Sequence, residues 1–245
     1  MNITYKELGL KFNHLYEILA TTYFQNSKEG KIVPNTACMG IRLISDTIIE
    51  IMPYPDTTTF KNLQETRYIA INFVDDIYLY AIAALKALGS DLHFKKFPTK
   101  YYSYYEIQKD LNEPFKKELK SSSILIPYIN KAWALILCKV LDENQIIKKD
   151  GLGQIKLTKF NLKVISFNKY KESFKLFNRT ENLVLEIILL ATRLKIAKEK
   201  GNYPLFDKIH ERLINNKEDV ERFGKNERAI KALDIVNDYI NKLMN

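Results

Sequence analysis

Two spacings of hydrophobic residues divide this chain. Up to Tyr170 the apolar positions fall in short runs rich in Ile, Val, Tyr and Phe, broken by Gly, Pro, Asn and Asp, which is the signature of strands and turns. The pattern predicts strands over 16–23, 32–37, 40–44, 47–52 and 68–74, with a turn over 26–30 between the first two. A short helix fits 60–65 and a second fits 77–88, where Gly89 supplies the left-handed position that ends helices. A strongly apolar strand comes next at 132–141, then strands at 145–149 and 154–168 around the turn Gly151-Leu152-Gly153. Strands this closely spaced, joined by hairpin-like turns, imply an antiparallel barrel rather than a parallel sheet. The stretch 92–123 is irregular, basic and tyrosine-rich, with Tyr101, Tyr102, Tyr104 and Tyr105 around Ser103. It reads as a lid or as an insertion packed on the barrel, and packing is favoured because aromatic clusters bury area.

Beyond Tyr170 the period changes to about 3.6. Asn178-Arg179-Thr180-Glu181 has the form of a capping box, and Leu183, Ile187, Leu190, Ala191 and Leu194 then make one apolar face. Two more helices are expected over 205–215 and 226–244. The last carries Ile230, Leu233, Val236, Ile240 and Leu243 on one side, a stripe that must be buried against the barrel, the tail itself or a second subunit. The expected fold is α+β: a barrel body over 1–172 with an irregular insertion near 91–131, and a C-terminal α-helical subdomain over 173–245.

Two turn-rich motifs carry the candidate chemistry. In the second, the strand over 47–52 meets Pro53 and Pro55, which cannot continue a ladder, and then Thr57, Thr58 and Thr59 precede a helix. A helix N-terminus offers free N–H groups and a positive dipole end to an anion, and the three hydroxyls, the Lys61 ammonium and the Asn62 amide add donors at the same spot. A phosphate would fit there; the alternative is that one threonine caps the helix and the others decorate a turn. The first motif, Pro34-Asn35-Thr36-Ala37-Cys38-Met39-Gly40, reads as the other half of a phosphate and ring cradle. Cys38 reads as a small packing residue more readily than as a redox thiol.

Composition bounds what such a site serves. The chain has 245 residues, 46% of them hydrophobic, with 15 Tyr and 13 Phe, which describes a globular protein with a substantial core. Two cysteines, Cys38 and Cys138, without metal-ligand spacing, give neither a disulfide framework nor a metal site. His14, His93 and His210 are too scattered to nominate, and no catalytic triad or carboxylate pair is visible. The start of the chain mixes charges with no apolar run, so no signal peptide or membrane span is expected and the cytoplasm is the natural location. The net charge of +9 is spread evenly, with 24 basic and 18 acidic residues before Phe174 and 14 and 11 from it onward. Without a recognisable nucleic-acid motif, only the pairs Lys95-Lys96, Lys116-Lys117 and Lys148-Lys149 stand out, and nucleic-acid binding is not favoured.

With the motifs placed, the sequence resembles a largely uncharacterised, mostly archaeal family, catalogued as a domain of unknown function, with an FMN-binding split barrel related to flavin reductases and pyridoxamine-phosphate oxidases. The resemblance rests on 17–23 (Glu-Ile-Leu-Ala-Thr-Thr-Tyr), Pro34-Asn35 with Met39-Gly40-Ile41, Thr58 or Thr59 with Asn62-Leu63, Asn72, Ala132-Trp133, and Phe177-Asn178-Arg179 with Glu186 and Ala191-Thr192-Arg193. It runs nearly end to end, departing at Pro55-Asp56 and in a longer, more basic 92–131. It implies an FMN-binding protein, a flavin-dependent oxidoreductase acting on a small molecule or a non-enzymatic flavin carrier or sensor, and a homodimer holding FMN near its interface. In that setting Thr57, Thr58, Thr59, Lys61 and Asn62 receive the phosphate, and the backbone of Ala37, Cys38, Met39 and Gly40 faces the isoalloxazine edge. Asn72 either hydrogen-bonds the ring or satisfies a neighbouring strand. Arg193 is either a phosphate or interface residue or an ordinary surface arginine.

Overall fold

Residues 5–25, 30–86, 96–108, 123–150, 153–172, 179–223 and 227–244 are described in a computed structural model. In chain order the elements are β1 (Leu15–Gln25), β2 (Ile32–Ser45), β3 (Ile48–Ile51), α1 (Thr58–Thr66), β4 (Tyr68–Phe73), α2 (Ile77–Ala84), β5 (Tyr102–Gln108), β6 (Ser123–Ile129), β7 (Ala134–Asp150), β8 (Gly153–Lys169), α3 (Arg179–Glu199), α4 (Tyr203–Phe223) and α5 (Glu227–Met244). Six strands close an antiparallel barrel in the order β1-β2-β3-β8-β7-β4, and β5 pairs with β6 in a separate hairpin.

Alternation along the strands sorts the side chains into three apolar layers. Ile18 and Ala20 of β1, Ile41 and Leu43 of β2, Ile69 and Ile71 of β4, Ile136 of β7, and Phe160 and Leu162 of β8 fill the barrel interior. The residues between them point outward: Leu19 meets α2 and the C-terminal helices, while Ala70, Leu135 and Leu137 lie under Ile126 of the β5–β6 hairpin. β1 is therefore covered on both faces, which is why Ile18 to Tyr23 form an unbroken buried run.

The C-terminal helices share one core with α2. Ile82 and Leu85 pack with Val184, Ile187 and Leu194 of α3 and with Ala232, Val236 and Ile240 of α5. Arg228 of α5 ties the start of that helix to the N-cap of α2, contacting both carboxylate oxygens of Asp76 and lying 4.6 Å over the Tyr78 ring. The stripe Leu233, Val236 and Ile240 is thus covered within the chain, and Ile230 points to solvent at 42% exposure. Of the three surfaces open to this stripe, the structure shows burial within the chain, against α2 and α3. Among the described residues no helix is long and apolar enough to cross a membrane.

Several predicted boundaries shift. The runs 32–37 and 40–44 are one strand, because β2 passes through Pro34 to Gly40 in continuous register with β1. Likewise 132–141 and 145–149 are one strand, β7, paired with β8 as a long ribbon. Within 92–123, Tyr102 to Gln108 form a regular strand that alternates in burial and pairs with β6, while 96–101 are loop and a 3-10 turn. The turn at 26–29, Lys95, the cap at Gly89, Lys116 and Lys117, Gly151 and Leu152, and Asn178 of the capping box lie outside the described residues.

Candidate functional site

The chain leaves the barrel after β3 at Pro53 and Pro55, and Asp56 turns it through a left-handed conformation at φ 66°. Thr57 caps α1: its Oγ1 accepts the Phe60 amide at 3.2 Å and donates to the Tyr54 carbonyl at 2.8 Å. Thr58 and Lys61 are exposed, whereas Thr59 and Asn62 are buried. Thr59 Oγ1 accepts from Asn35 Nδ2 at 3.3 Å, and Asn62 Nδ2 donates to Thr22 Oγ1 at 3.1 Å, so these two side chains pin α1 to β2 and β1. The donors that the sequence groups at one spot over 57–62 thus divide between an inward and an outward side. A helix seated on a barrel turns its i and i+3 positions inward, here 59 and 62. The side chains left exposed are Thr58 and Lys61, and the backbone N–H groups of Thr58 and Thr59 find no acceptor among the described residues.

Alongside runs an open stretch of β2. β2 pairs with β1 from Ile32 to Arg42 but with β3 only from Ile41 onward, so residues 32–40 have a strand neighbour on one edge alone among the described residues. Both α1 and α2 contact β2. α2 is apolar nearly all round, with Ile77, Leu79, Tyr80, Ala81, Ile82 and Ala83 buried, and the first charge after it is Lys86. The Lys86 ammonium donates to Asn35 Oδ1 at 2.9 Å and to the Thr36 carbonyl at 2.5 Å. Both acceptors are neutral, and among the described residues no carboxylate lies within ion-pair distance. Burial therefore pulls the Lys86 pKa down to about 8. Asn35, with one side of its amide on Lys86 and the other on Thr59, connects the end of α2 to the first turn of α1.

The other nominated residues divide. Ala37, Cys38, Met39 and Gly40 sit in the open part of β2, opposite Ala20, Leu19, Ile18 and Glu17 of β1. The space a Cβ would need at Gly40 is taken by the Leu15 side chain, at 2.9 Å, so the glycine accommodates a neighbour within the chain. Cys38 Sγ donates to Glu17 Oε2 at 3.8 Å; burial, reinforced by the Glu17 charge, pushes the thiol up, so it stays protonated. Glu17 is also raised by burial, with the Cys38 bond opposing. Asn72 is fully buried: Nδ2 lies 2.7 Å from the Leu19 carbonyl, 3.0 Å from Thr21 Oγ1 and 3.0 Å from the Ala70 carbonyl, and Oδ1 accepts the Ile129 amide at 2.7 Å. Its amide joins β4 to β1 and β6, the second of the two readings of Asn72. Arg193 is exposed on α3, whose principal neighbours are α2, α4 and α5, so the structure does not bring it to the α1 turn.

Lys86 is the polar residue that sequence reasoning left out of the site; Asn35 and Thr36 lay in the first motif without a role of their own. Thr36 Oγ1 is 2.9 Å from both Thr21 Oγ1 and the Tyr102 hydroxyl, which links the barrel to the β5–β6 hairpin. A lone lysine closing an otherwise apolar helix was the available signal for Lys86; its partners lie about fifty positions away and leave no local trace.

A crystal structure of an FMN-bound protein from Methanosarcina mazei, itself assigned to the DUF447 family, aligns with 96% of this chain and 99% of its own at a TM-score of 0.67 and 16% identity. A flavin reductase complexed with NADP+ aligns with 69% of this chain and 87% of its own, at a TM-score of 0.40 and 17% identity. The styrene monooxygenase flavin reductase of Pseudomonas putida S12 covers 62% of this chain and 79% of its own, at a TM-score of 0.38 and 14% identity. No curated protein matches the chain. Residues 16–165 match the model of the N-terminal domain of a protein family of unknown function, DUF447, and the chain belongs to that family.

Proposed function

We propose that this chain binds FMN and acts as a flavin-dependent oxidoreductase on a small molecule. The observation that carries this is the juxtaposition of outward-facing donors at the start of α1 with the open edge of β2 and the Lys86 ammonium. A phosphate is acceptor-only, and the groups facing it here are donors: the Thr58 and Thr59 amides, the Lys61 ammonium and one hydroxyl. Unpaired backbone groups along 37–40 suit the polar edge of a flat ring, with Met39 and Cys38 as apolar neighbours. FMN supplies the redox chemistry when bound, and the protein's part is to hold, orient and shield it. The fold likeness to an FMN-bound protein of the same family supports the reading.

A carrier or sensor is the second reading, favoured by one observation: the Glu17 carboxylate and Cys38 thiol satisfy each other rather than standing free as acid or base. Reduced nicotinamide added to the FMN-loaded protein separates the two. Catalytic bleaching of the flavin supports the oxidoreductase; a flavin that stays oxidised through many equivalents of donor favours the carrier.

The inward and outward halves of the α1 turn give separate expected results. Thr58→Val should weaken FMN binding with the melting temperature nearly unchanged, since the side chain is exposed. Thr59→Val should lower stability by about 1 kcal/mol, because Asn35 loses its acceptor. Equal effects of both on both quantities would contradict the division.

Assembly is the remaining part of the proposal. A two-fold homodimer with FMN near its interface is expected to bury more than about 2,000 Å². Apolar positions exposed on the β7–β8 ribbon include Leu141 and Ile147, at 54% and 62%, and the tail adds Tyr203 at 67%. Light scattering at micromolar concentration checks it, and a monomer that still holds FMN would contradict it.

A further inference from the structure

We propose that Lys86 is the cation that takes the phosphate of FMN, reaching it beside the first turn of α1 through its shared contact with Asn35. The inference rests on the reading of this chain as an FMN protein, and it adds a residue from a different element, at the far end of α2.

An ammonium has three donors, and two of them are met by Asn35 Oδ1 and the Thr36 carbonyl. Neither acceptor carries charge, and among the described residues no carboxylate pairs with Lys86. A cation held among neutral oxygens is poorly compensated; an anion beside it restores the balance that burial removes. The position of that anion is constrained. Asn35 accepts from Lys86 with its carbonyl oxygen and donates to Thr59 with its nitrogen, so a single amide group separates the ammonium from the first turn of α1. That turn presents the unpaired Thr58 and Thr59 amides. An anion with several oxygens bridges the two, and the phosphate is the part of FMN with that form. The flavin pyrimidine edge is the other candidate, since it also accepts hydrogen bonds, but nothing links it to Thr59.

Comparing FMN with riboflavin in the native protein, Lys86→Met and Lys86→Gln tests the assignment. Dissociation constants are read from flavin fluorescence, and melting temperatures report the fold. The expected result is a loss of about tenfold or more in FMN affinity in both variants, with riboflavin affinity unchanged. Gln keeps a donor for the Thr36 carbonyl while removing the charge, so it covers the case in which Met alone disturbs packing. Losses that are equal for the two ligands place Lys86 at the ring or in the fold and overturn the proposal, as does an unchanged FMN affinity. A native protein that takes up no FMN overturns the functional reading as well, which distinguishes the two failures.

Discussion

Riboflavin should bind at least tenfold more weakly than FMN. The two ligands share the ring and the ribityl chain and differ in the phosphate, so their affinity ratio isolates whatever the protein does for that group. The donors available to it are the exposed end of the α1 turn, with Thr58, Lys61 and the unpaired Thr58 and Thr59 amides, and the α1 dipole. Charge-assisted hydrogen bonds contribute about 1.5 to 3 kcal/mol each, and about 1.4 kcal/mol is a factor of ten in affinity, so a single retained bond produces the predicted difference. Equal affinities by titration would contradict the phosphate assignment at α1 whatever else the protein binds.

The second large effect is thermal. A ligand that binds only the folded chain stabilises it by mass action, by about 2.7 kcal/mol at a hundredfold excess over its dissociation constant. For a chain of this length that corresponds to a rise of about 5 to 10 °C in melting temperature. FMN should produce this rise and adenosine monophosphate, which offers a phosphate without the flavin ring, should fall well short of it. A melting curve that does not move in saturating FMN would contradict the functional reading as a whole.

The barrel was legible because its physics is local and periodic. Ile18 and Ala20, Ile69 and Ile71, and Ile49 and Ile51 alternate as strands with one face in a core must, and the helical tail changes period at the point where packing changes from sheet to helix. The α1 turn was legible for the same reason: Pro53 and Pro55 stop the ladder, and Thr57 caps the helix beyond them. The segment 34–40 misled because Pro and Gly usually mark turns. In this fold Pro34 lies where β2 has one strand neighbour, so its missing N–H is tolerated, and Gly40 makes room for Leu15 without breaking the strand.

What the sequence hid is contact across distance. Which of three consecutive threonines faces inward depends on how α1 lies on β1 and β2, and only the fold assigns Thr59 to Asn35 and leaves Thr58 outside. Asn72 carries both a donor and an acceptor and so left a ring contact and a strand partner open; its partners here are Leu19, Thr21, Ala70 and Ile129, drawn from three strands. Lys86 and Asn35 are 51 positions apart, and their pairing is a consequence of α2 folding back over β2.

The central claim is that this chain holds FMN. Its most direct test is to equilibrate the purified protein with excess FMN, separate bound from free ligand by gel filtration, and compare flavin absorbance with protein in the eluted peak. The account predicts flavin co-eluting at one FMN per chain; flavin found wholly in the small-molecule fraction would contradict it.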